Sequence, residues 1–462
     1  MSAPVARAPA GSGREGETGS SRYRLAAAGS LLLAVALFGG ASRGDETAQI
    51  LVRLAAIAAL AASAWPLDLA ALRENGRLLL FAGACIALPL LQFVPLPPTV
   101  WSGLPGHAVY AEIARATGST GWRPLSLTPD LTLNALLALT VPAAAGLAAI
   151  HLDGNGRKAM AAAFVIAAFA SALLGLAQLG VSADELRLYQ NSSENAPVGL
   201  FANRNHQAVL LACALPLCAA VVPARLAGRA RLALISALAV GFLVLTAVLV
   251  LTGSRMGVIL WSGGALGAAW TLRARGLLRL PRSRTARWAL FAAAVAVAVG
   301  LALAVMFDRR LLQRFDYRDL AGDTRWAALP TLLTMARAFF PWGAGFGSFA
   351  GVYPQFEPEG LLSTVYLNQA HDEPIQLVIE GGLPALALLA LFAWWWARTA
   401  MRIAREGRHA GQRGLPRASL CVTAMLMVSS LVDYPLRTPL LASLFAFGCV
   451  AMALDGRTKA AA

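Results

Sequence analysis

Two residues at the ends of apolar runs, an arginine and a histidine, have side chains suited to group-transfer chemistry. Arg255 lies in a turn of a few residues between two apolar runs. A cation placed there could bind an anion, or it could simply extend its charged end to the membrane surface. His371 lies three residues before Pro374, and proline is typical of the first turn of a helix. Its imidazole is therefore expected in the turn before that helix, where it could take a proton from a hydroxyl group or hydrogen-bond to the backbone.

Three more charged residues could belong to the same site. Arg325 follows Asp323 closely, and the two could form an ordinary surface ion pair, or Arg325 could face an anion. Arg337 lies further along the same polar segment. Glu380 lies six residues into the next apolar run, where a lone carboxylate is costly, so we expect an arginine partner that is either structural or part of the site. Glu380 and His371 are separated by nine positions, or about 13 Å along a helix, so we do not expect them to form one hydrogen-bonded dyad.

Small polar residues precede two of the apolar runs. Asn203 and Asn205 open one run, and Ser254 precedes another. All three are residue types that cap helix N-termini, although the asparagines could instead contact a glycan or a lipid headgroup. The stretch from Gly343 to Gly347 has no predicted strand before it, so we interpret it as a tight turn and not as a nucleotide-binding loop.

The histidines and cysteines do not indicate metal or cofactor chemistry. The chain has five of each, and neither set shows the spacing of metal ligands. All five cysteines lie in apolar runs, where we expect buried free thiols. We therefore predict no metal and no cofactor.

The segments that would position these side chains are mostly apolar. Of the 462 residues, 58% are hydrophobic and 14% are charged, whereas soluble domains are about 25% charged. Apolar runs of about 18 or more residues can cross the hydrocarbon layer as helices. We therefore predict an all-α polytopic membrane protein with about twelve transmembrane helices. The predicted spans are 25–41, 48–66, 78–97, 131–150, 159–180, 205–223, 232–252, 256–272, 288–306, 375–396, 418–433 and 440–454.

The distribution of basic residues predicts the orientation of these helices. The net charge is +15, but the arginines form short clusters between apolar runs, which is typical of membrane orientation signals and not of nucleic-acid binding. Roughly two thirds of the Lys and Arg residues are cytoplasmic if both termini are cytoplasmic. We therefore predict a disordered cytoplasmic tail at 1–24, nine spans in 25–306, a large periplasmic loop at 307–373, three spans in 374–454 and a second cytoplasmic tail at 455–462.

Seven short segments, taken in order, form a recognisable set. They are Pro124 to Thr132, Phe201 to His206, Ser254-Arg255-Met256-Gly257, Arg325-Trp326, Pro341 to Phe349, His371 through Glu380 to Leu383, and Asp433-Tyr434-Pro435-Leu436. Together they resemble the O-antigen ligase and polymerase family, whose members are bacterial membrane enzymes that handle lipid-linked polysaccharides, and the last segment is typical of exopolysaccharide members. The likeness covers roughly residues 120 to 440. One departure is Asp372, since many relatives have asparagine after the histidine, and this points to a subfamily.

The resemblance implies an inner-membrane glycosyltransferase that acts at the periplasmic face without a metal. The donor would be a glycan on undecaprenyl diphosphate, and the acceptor a hydroxyl of lipid A core or of a growing polysaccharide, in lipopolysaccharide or exopolysaccharide biosynthesis. His371 would activate the acceptor, while Arg255 and Arg325 would hold the diphosphate. Asn203, Asn205, Ser254, Arg337 and Glu380 are predicted substrate-binding residues. The partners are thus a lipid-linked glycan, its acceptor and membrane lipids, with no nucleic acid.

A transporter or flippase of a lipid-linked saccharide is the alternative. About twelve spans with scattered intramembrane charges fit that class as well. However, the two halves show no internal repeat and no helix breaks at matching positions, which transporters often have. A structural role in an envelope assembly is a third possibility.

Overall fold

The computed structural model describes residues 12–44, 46–63, 69–180, 185–194, 196–223, 228–278, 283, 324–362, 367–405 and 414–454. Helices dominate these residues, and two short strands, β1 (Pro95–Leu96) and β2 (Arg123–Pro124), form an antiparallel pair. The helices are α1 (Ser12–Phe38), α2 (Thr47–Ser63), α3 (Leu69–Glu74), α4 (Gly76–Leu91), α5 (Pro98–Ser102), α6 (Ala108–Ala116), α7 (Pro129–Ala138), α8 (Thr140–His151), α9 (Gly154–Ala177), α10 (Arg204–Val221), α11 (Gly228–Leu251), α12 (Arg255–Ala274), α13 (Thr324–Phe339), α14 (Phe349–Val352), α15 (Glu373–Arg405), α16 (Gly414–Ser430) and α17 (Pro439–Leu454).

The predicted all-α membrane fold is confirmed, while the number of spans stays a prediction. By length and composition, four described segments could cross a membrane, namely Pro129–His151 (α7 with α8), α9, α11 and α15. Three shorter apolar helices are α2, α4 and α17. A helix lies at eleven of the twelve predicted spans, and the twelfth, 288–306, lies outside the described residues. Helix α1 begins at Ser12, well before the predicted start of the first span and inside the predicted tail.

Helix α10 lies at the centre of the bundle, with most of its side chains buried. Glycines on α12 let the two backbones approach closely. A Cβ atom added at Gly257 would lie 2.6 Å from the Cβ of Ala208, and one added at Gly264 would lie 2.5 Å from the carbonyl oxygen of Ala212. Because the contacts advance together along both helices, α10 and α12 are parallel. The start of α12 at Arg255 is therefore level with the start of α10.

Predicted outside segments and the span ends next to them meet at one end of the bundle, which we call the site end. Gly40 N–H donates to the hydroxyl of Tyr189 at 2.9 Å, and Arg53 Nη1 donates to Asn134 Oδ1 at 2.7 Å. At the opposite end, Arg275 donates to the carbonyls of Ala219 and Val222 at 2.6 Å each. Different segments thus meet at the two ends of the bundle, while the side of the membrane that each end faces stays a prediction.

Helix α15 is interrupted, and a glycine-rich turn fills the interruption. Gly382 has φ 59° and ψ −146°, which are not helical angles. The carbonyls of Ile379 and Glu380 accept hydrogen bonds from the backbone N–H groups of Ala344 and Gly345, both at 2.9 Å. Backbone groups in a membrane need such partners, since hydrocarbon offers none. The interpretation of residues 343–347 as a tight turn is confirmed, and Gly345 has φ 106°.

Candidate active site

His371 lies at the site end, in a strained backbone conformation. Its φ is 53°, and it is the one non-glycine residue with positive φ in the described part of the chain. Such conformations persist only where the surroundings hold them, and they cluster at functional sites. Here both neighbours are fixed, because Ala370 N–H donates to Gln376 Oε1 at 2.9 Å and Asp372 Oδ1 accepts from Ile375 N–H at 2.9 Å. Asp372 thus caps the start of α15.

Asp433 is buried beside the His371 ring. Its Oδ1 lies 3.3 Å from His371 Nδ1. The carboxylate also accepts hydrogen bonds from Asn205 Nδ2 at 2.8 Å and from Tyr434 N–H at 3.0 Å. These contacts fix the carboxylate, so it can hold the imidazole in one orientation and stabilise its protonated form.

A second histidine approaches the same carboxylate. His206 Nε2 lies 3.9 Å from Asp433 Oδ1, and the His206 ring is buried. The Tyr434 ring meets both imidazoles edge to face, with centroid distances of 5.3 Å to His206 and 4.7 Å to His371. The start of α10, the turn before α15 and the segment after α16 therefore converge on Asp433.

The arrangement leaves one nitrogen of His371 available for chemistry. Nδ1 lies 3.3 Å from Asp433 Oδ1, an ion-pair contact without hydrogen-bond geometry, and Nε2 has no partner among the residues that the structure describes. The His371 side chain is 15% exposed, so a ligand can reach it. A neutral imidazole whose Nδ1 proton is held by a carboxylate accepts a proton at Nε2. The His371–Asp433 pair can therefore act on a hydroxyl group.

Glu380 has the arginine partner that its burial predicts. Its Oε2 lies 3.4 Å from Arg437 Nη2, and its Oε1 accepts from Gln376 Nε2 at 2.9 Å. His371 pairs with Asp433 instead, so His371 and Glu380 do not form one dyad, as expected. The Glu380–Arg437 pair lies deeper along α15 than His371, and it is separate from the His371–Asp433 pair.

Glu373 ties α15 to the 431–438 turn, which joins α16 to α17. Its carboxylate accepts a hydrogen bond from the Ser430 hydroxyl, and another from Leu436 N–H at 3.0 Å. Glu373 is the first residue of α15, and it is buried because the 431–438 turn covers it. This clamp sets the height of Asp433 relative to His371.

The predicted polar residues at helix starts act as caps. Asn203 Oδ1 accepts from Asn205 N–H at 2.8 Å, and Ser254 Oγ accepts from Gly257 N–H at 3.1 Å. Asn205 uses its amide to hold Asp433. Arg255 is the first residue of α12, and its side chain is half-buried. Parallel packing of α10 and α12 brings Arg255 to the level of Asn205.

The two predicted arginines of α13 are less closely tied to the pair. Arg325 is the second residue of α13, and its side chain lies outside the described part of the structure. Arg337 lies near the end of α13, with an exposed side chain. Residues 307–323, most of the predicted loop before α13, also lie outside the described residues. Roles for both arginines remain predictions.

A metal centre is not formed by the described residues, in which no group of three His, Cys, Asp or Glu side chains could hold an ion. The five cysteines are free thiols. Four residues of this arrangement were not predicted as site residues. His206, Asp433 and Tyr434 lie in segments that carry the resemblance, and Arg437 lies just beyond one of them. A signal was present, since Asp433 and Arg437 are the only charges between two apolar runs.

The fold and the site define a helical membrane protein with a histidine–carboxylate pair at one end of its bundle. Residues 240–390 match the family model described as Wzy_C, O-Antigen ligase. The chain therefore carries an O-antigen ligase domain at residues 240–390, which supports the resemblance. The match includes Arg255 and His371 but ends before Asp433. A comparison with the curated proteins found no match.

Proposed function

We propose that the protein is a metal-independent glycosyltransferase that moves a glycan from undecaprenyl diphosphate to a hydroxyl acceptor at the periplasmic face. The family match supports an enzyme of the ligase or polymerase type that acts on lipid-linked glycans. The observation that carries the proposal is the His371–Asp433 pair at the site end, 3.3 Å apart. The proposed setting is the bacterial inner membrane with both termini cytoplasmic.

The proposed reaction needs one base and a cation. The acceptor hydroxyl oxygen attacks the anomeric carbon of the donor, the bond from that carbon to the diphosphate oxygen breaks, and undecaprenyl diphosphate leaves. His371 Nε2 takes the hydroxyl proton, and Asp433 stabilises the resulting imidazolium. The leaving group already carries negative charge, so a strong acid is not needed. Arg255 offsets the charge that develops on departure.

The other candidate residues have supporting parts in this proposal. Asn205 acts through Asp433, which it holds at 2.8 Å. Asn203 and Ser254 shape the helix starts that carry Asn205 and Arg255. Arg325 is proposed as a second diphosphate ligand, and Arg337 and Glu380 as residues that line the substrate path. The acceptor is lipid A core for a ligase, or a growing chain for a polymerase.

A deletion strain tests the proposal and separates its two forms. Lipopolysaccharide, secreted polysaccharide and lipid-linked glycan are analysed in parallel. Full-length glycan stranded on the carrier with bare core indicates a ligase, and single repeat units on the carrier indicate a polymerase. Complementation with His371→Ala or Arg255→Ala should fail at wild-type protein levels. If none of these three products changes in the deletion strain, the proposed substrate class is wrong, and a transporter becomes the better hypothesis.

A further inference from the structure

The end of the bundle opposite the site carries an open groove lined by three arginines of α15. The groove has a volume of about 590 Å³, and its lining residues are Arg398, Met401, Arg402 and Arg405. These residues recur at helical spacing, so they share one face of α15. Arg398, Met401 and Arg405 are exposed on this face. The groove thus combines three positive side chains with one apolar side chain, that of Met401.

Two of the three guanidinium groups are held in place. Arg402 Nη2 donates to the carbonyl oxygen of Met452 at 2.9 Å, which ties this face of α15 to the end of α17. The Arg398 guanidinium lies 4.7 Å from the centroid of the Trp394 ring, a cation–π distance. Trp394 is 54% exposed, and tryptophan is enriched where a helix crosses the membrane–water interface. The groove therefore lies at headgroup depth.

Other arginines at this end occur singly at helix ends, where Arg402 also makes its contact with α17. Arg275 donates two hydrogen bonds to the carbonyls that end α10, and Arg157 donates to the carbonyl of Leu152. Those guanidinium groups complete the hydrogen bonding of helix ends, as basic residues near C-termini commonly do. The groove instead gathers three cations, and none of its lining residues is acidic. Basic residues that served only to orient the helices in the membrane would not need to lie together in one groove.

We propose that this groove binds the phosphate headgroup of an anionic glycerophospholipid, with the acyl chains lying along Met401 and Trp394. Arginine pairs with phosphate through several N–H donors at once, which favours it over a point charge. Basic pockets between helices on the cytoplasmic side suit such headgroups. The site is separate from the His371–Asp433 pair and independent of the proposed reaction.

Lipid binding by the purified full-length protein in detergent tests this site. The probes are phosphatidylglycerol and phosphatidylcholine with identical acyl chains, measured by native mass spectrometry. Each arginine should contribute roughly fivefold in affinity, so Arg398→Gln/Arg402→Gln/Arg405→Gln should bind phosphatidylglycerol about a hundredfold more weakly. The affinity of the single Arg405→Gln variant for phosphatidylglycerol should fall about fivefold. This variant keeps the proposal testable if the triple variant does not fold.

The matched control removes three charges elsewhere at the same end, as Arg73→Gln/Arg77→Gln/Arg229→Gln. These side chains are exposed and lie off the groove, so affinity should stay within twofold of wild type. Equal losses in the two triple variants would show a diffuse basic surface and overturn the proposal. Equal wild-type affinity for both lipids would also overturn it. Full displacement of the lipid by millimolar inorganic phosphate would show a site for free anions instead.

Discussion

Replacing Asp433 with asparagine should slow turnover strongly while leaving the fold in place. The side chain holds three groups, which are His371 Nδ1, Asn205 Nδ2 and Tyr434 N–H. An asparagine at 433 can keep its oxygen toward Tyr434 and His371 and place its NH2 against Asn205, whose amide can rotate to offer an oxygen. The substitution therefore removes the charge and keeps the hydrogen bonds.

The distance sets the size of the effect. Two unit charges 3.3 Å apart interact by about 5 kcal/mol at an effective dielectric constant of about 20. The transition state would lose this full amount of stabilisation only if the proton were completely transferred to His371. Water reaches part of the His371 ring, and the proton is only partly transferred in the transition state. We therefore expect kcat to fall about 10²- to 10³-fold, within the range for general-base groups.

The assay is transfer by purified protein in vesicles, with lipid-linked glycan as donor and kcat and KM measured separately. Because Asp433 acts through His371, Asp433→Asn should cost almost nothing further in a His371→Ala background. The matched control is Asp153→Asn at the opposite end, where the carboxylate caps α9 by accepting from Gly156 N–H at 2.7 Å. Asparagine caps equally well there, so kcat should not change. Losses from His371→Ala and Asp433→Asn that multiply would refute the reasoning, since Asp433 would then act independently.

Two further predictions concern stability. Arg437→Ala leaves the buried Glu380 carboxylate without its 3.4 Å partner. The free energy of unfolding, measured with sodium dodecyl sulfate in mixed micelles, should therefore fall by about 3–5 kcal/mol, and adding Glu380→Gln should recover most of that loss. A double variant no more stable than the single one would contradict this account. Burial raises the pKa of Asp372 above its usual range, and the hydrogen bond from Ile375 N–H only partly opposes this rise. The contribution of Asp372 to stability is therefore full below the pKa of the unfolded state, and it is lost as the pH rises through the pKa of the folded state. Asp372→Asn keeps the cap without that loss, so thermal unfolding at pH 4 and pH 7 should show the variant gaining on wild type at pH 7; an equal difference at both values would argue against it.

The sequence predicted the helices well because their signal is local. Apolar runs place eleven helices where the structure has them, and cap residues mark the starts of α10 and α12. The need of Glu380 for a basic partner follows from membrane energetics alone, and Arg437 meets it. These inferences depend on one residue and its immediate surroundings, so no knowledge of the tertiary fold was required.

The centre of the candidate site could not be predicted in the same way. Asn205 and Asp433 are 228 positions apart in the chain, and their contact depends on how α10 and α16 pack. Periodicity gives no register between helices that are apolar on every face. Arg255 and Arg325 could be predicted as site cations from their neighbours in the sequence. Arg437 and Asp433 reach the site only because the 431–438 turn folds against α15, which the sequence does not show.

Hydrogen-bond satisfaction explains why this turn organises the site. A polar group at the end of a membrane bundle must find a partner in the protein, since hydrocarbon provides none. Glu373 and Glu380 both turn toward the 431–438 turn, where Leu436 N–H and Arg437 meet them. Those two contacts fix the turn, and Asp433 is thereby held beside a strained His371. In this arrangement His371 Nε2 faces away from Asp433, and a substrate hydroxyl can donate a hydrogen bond to it.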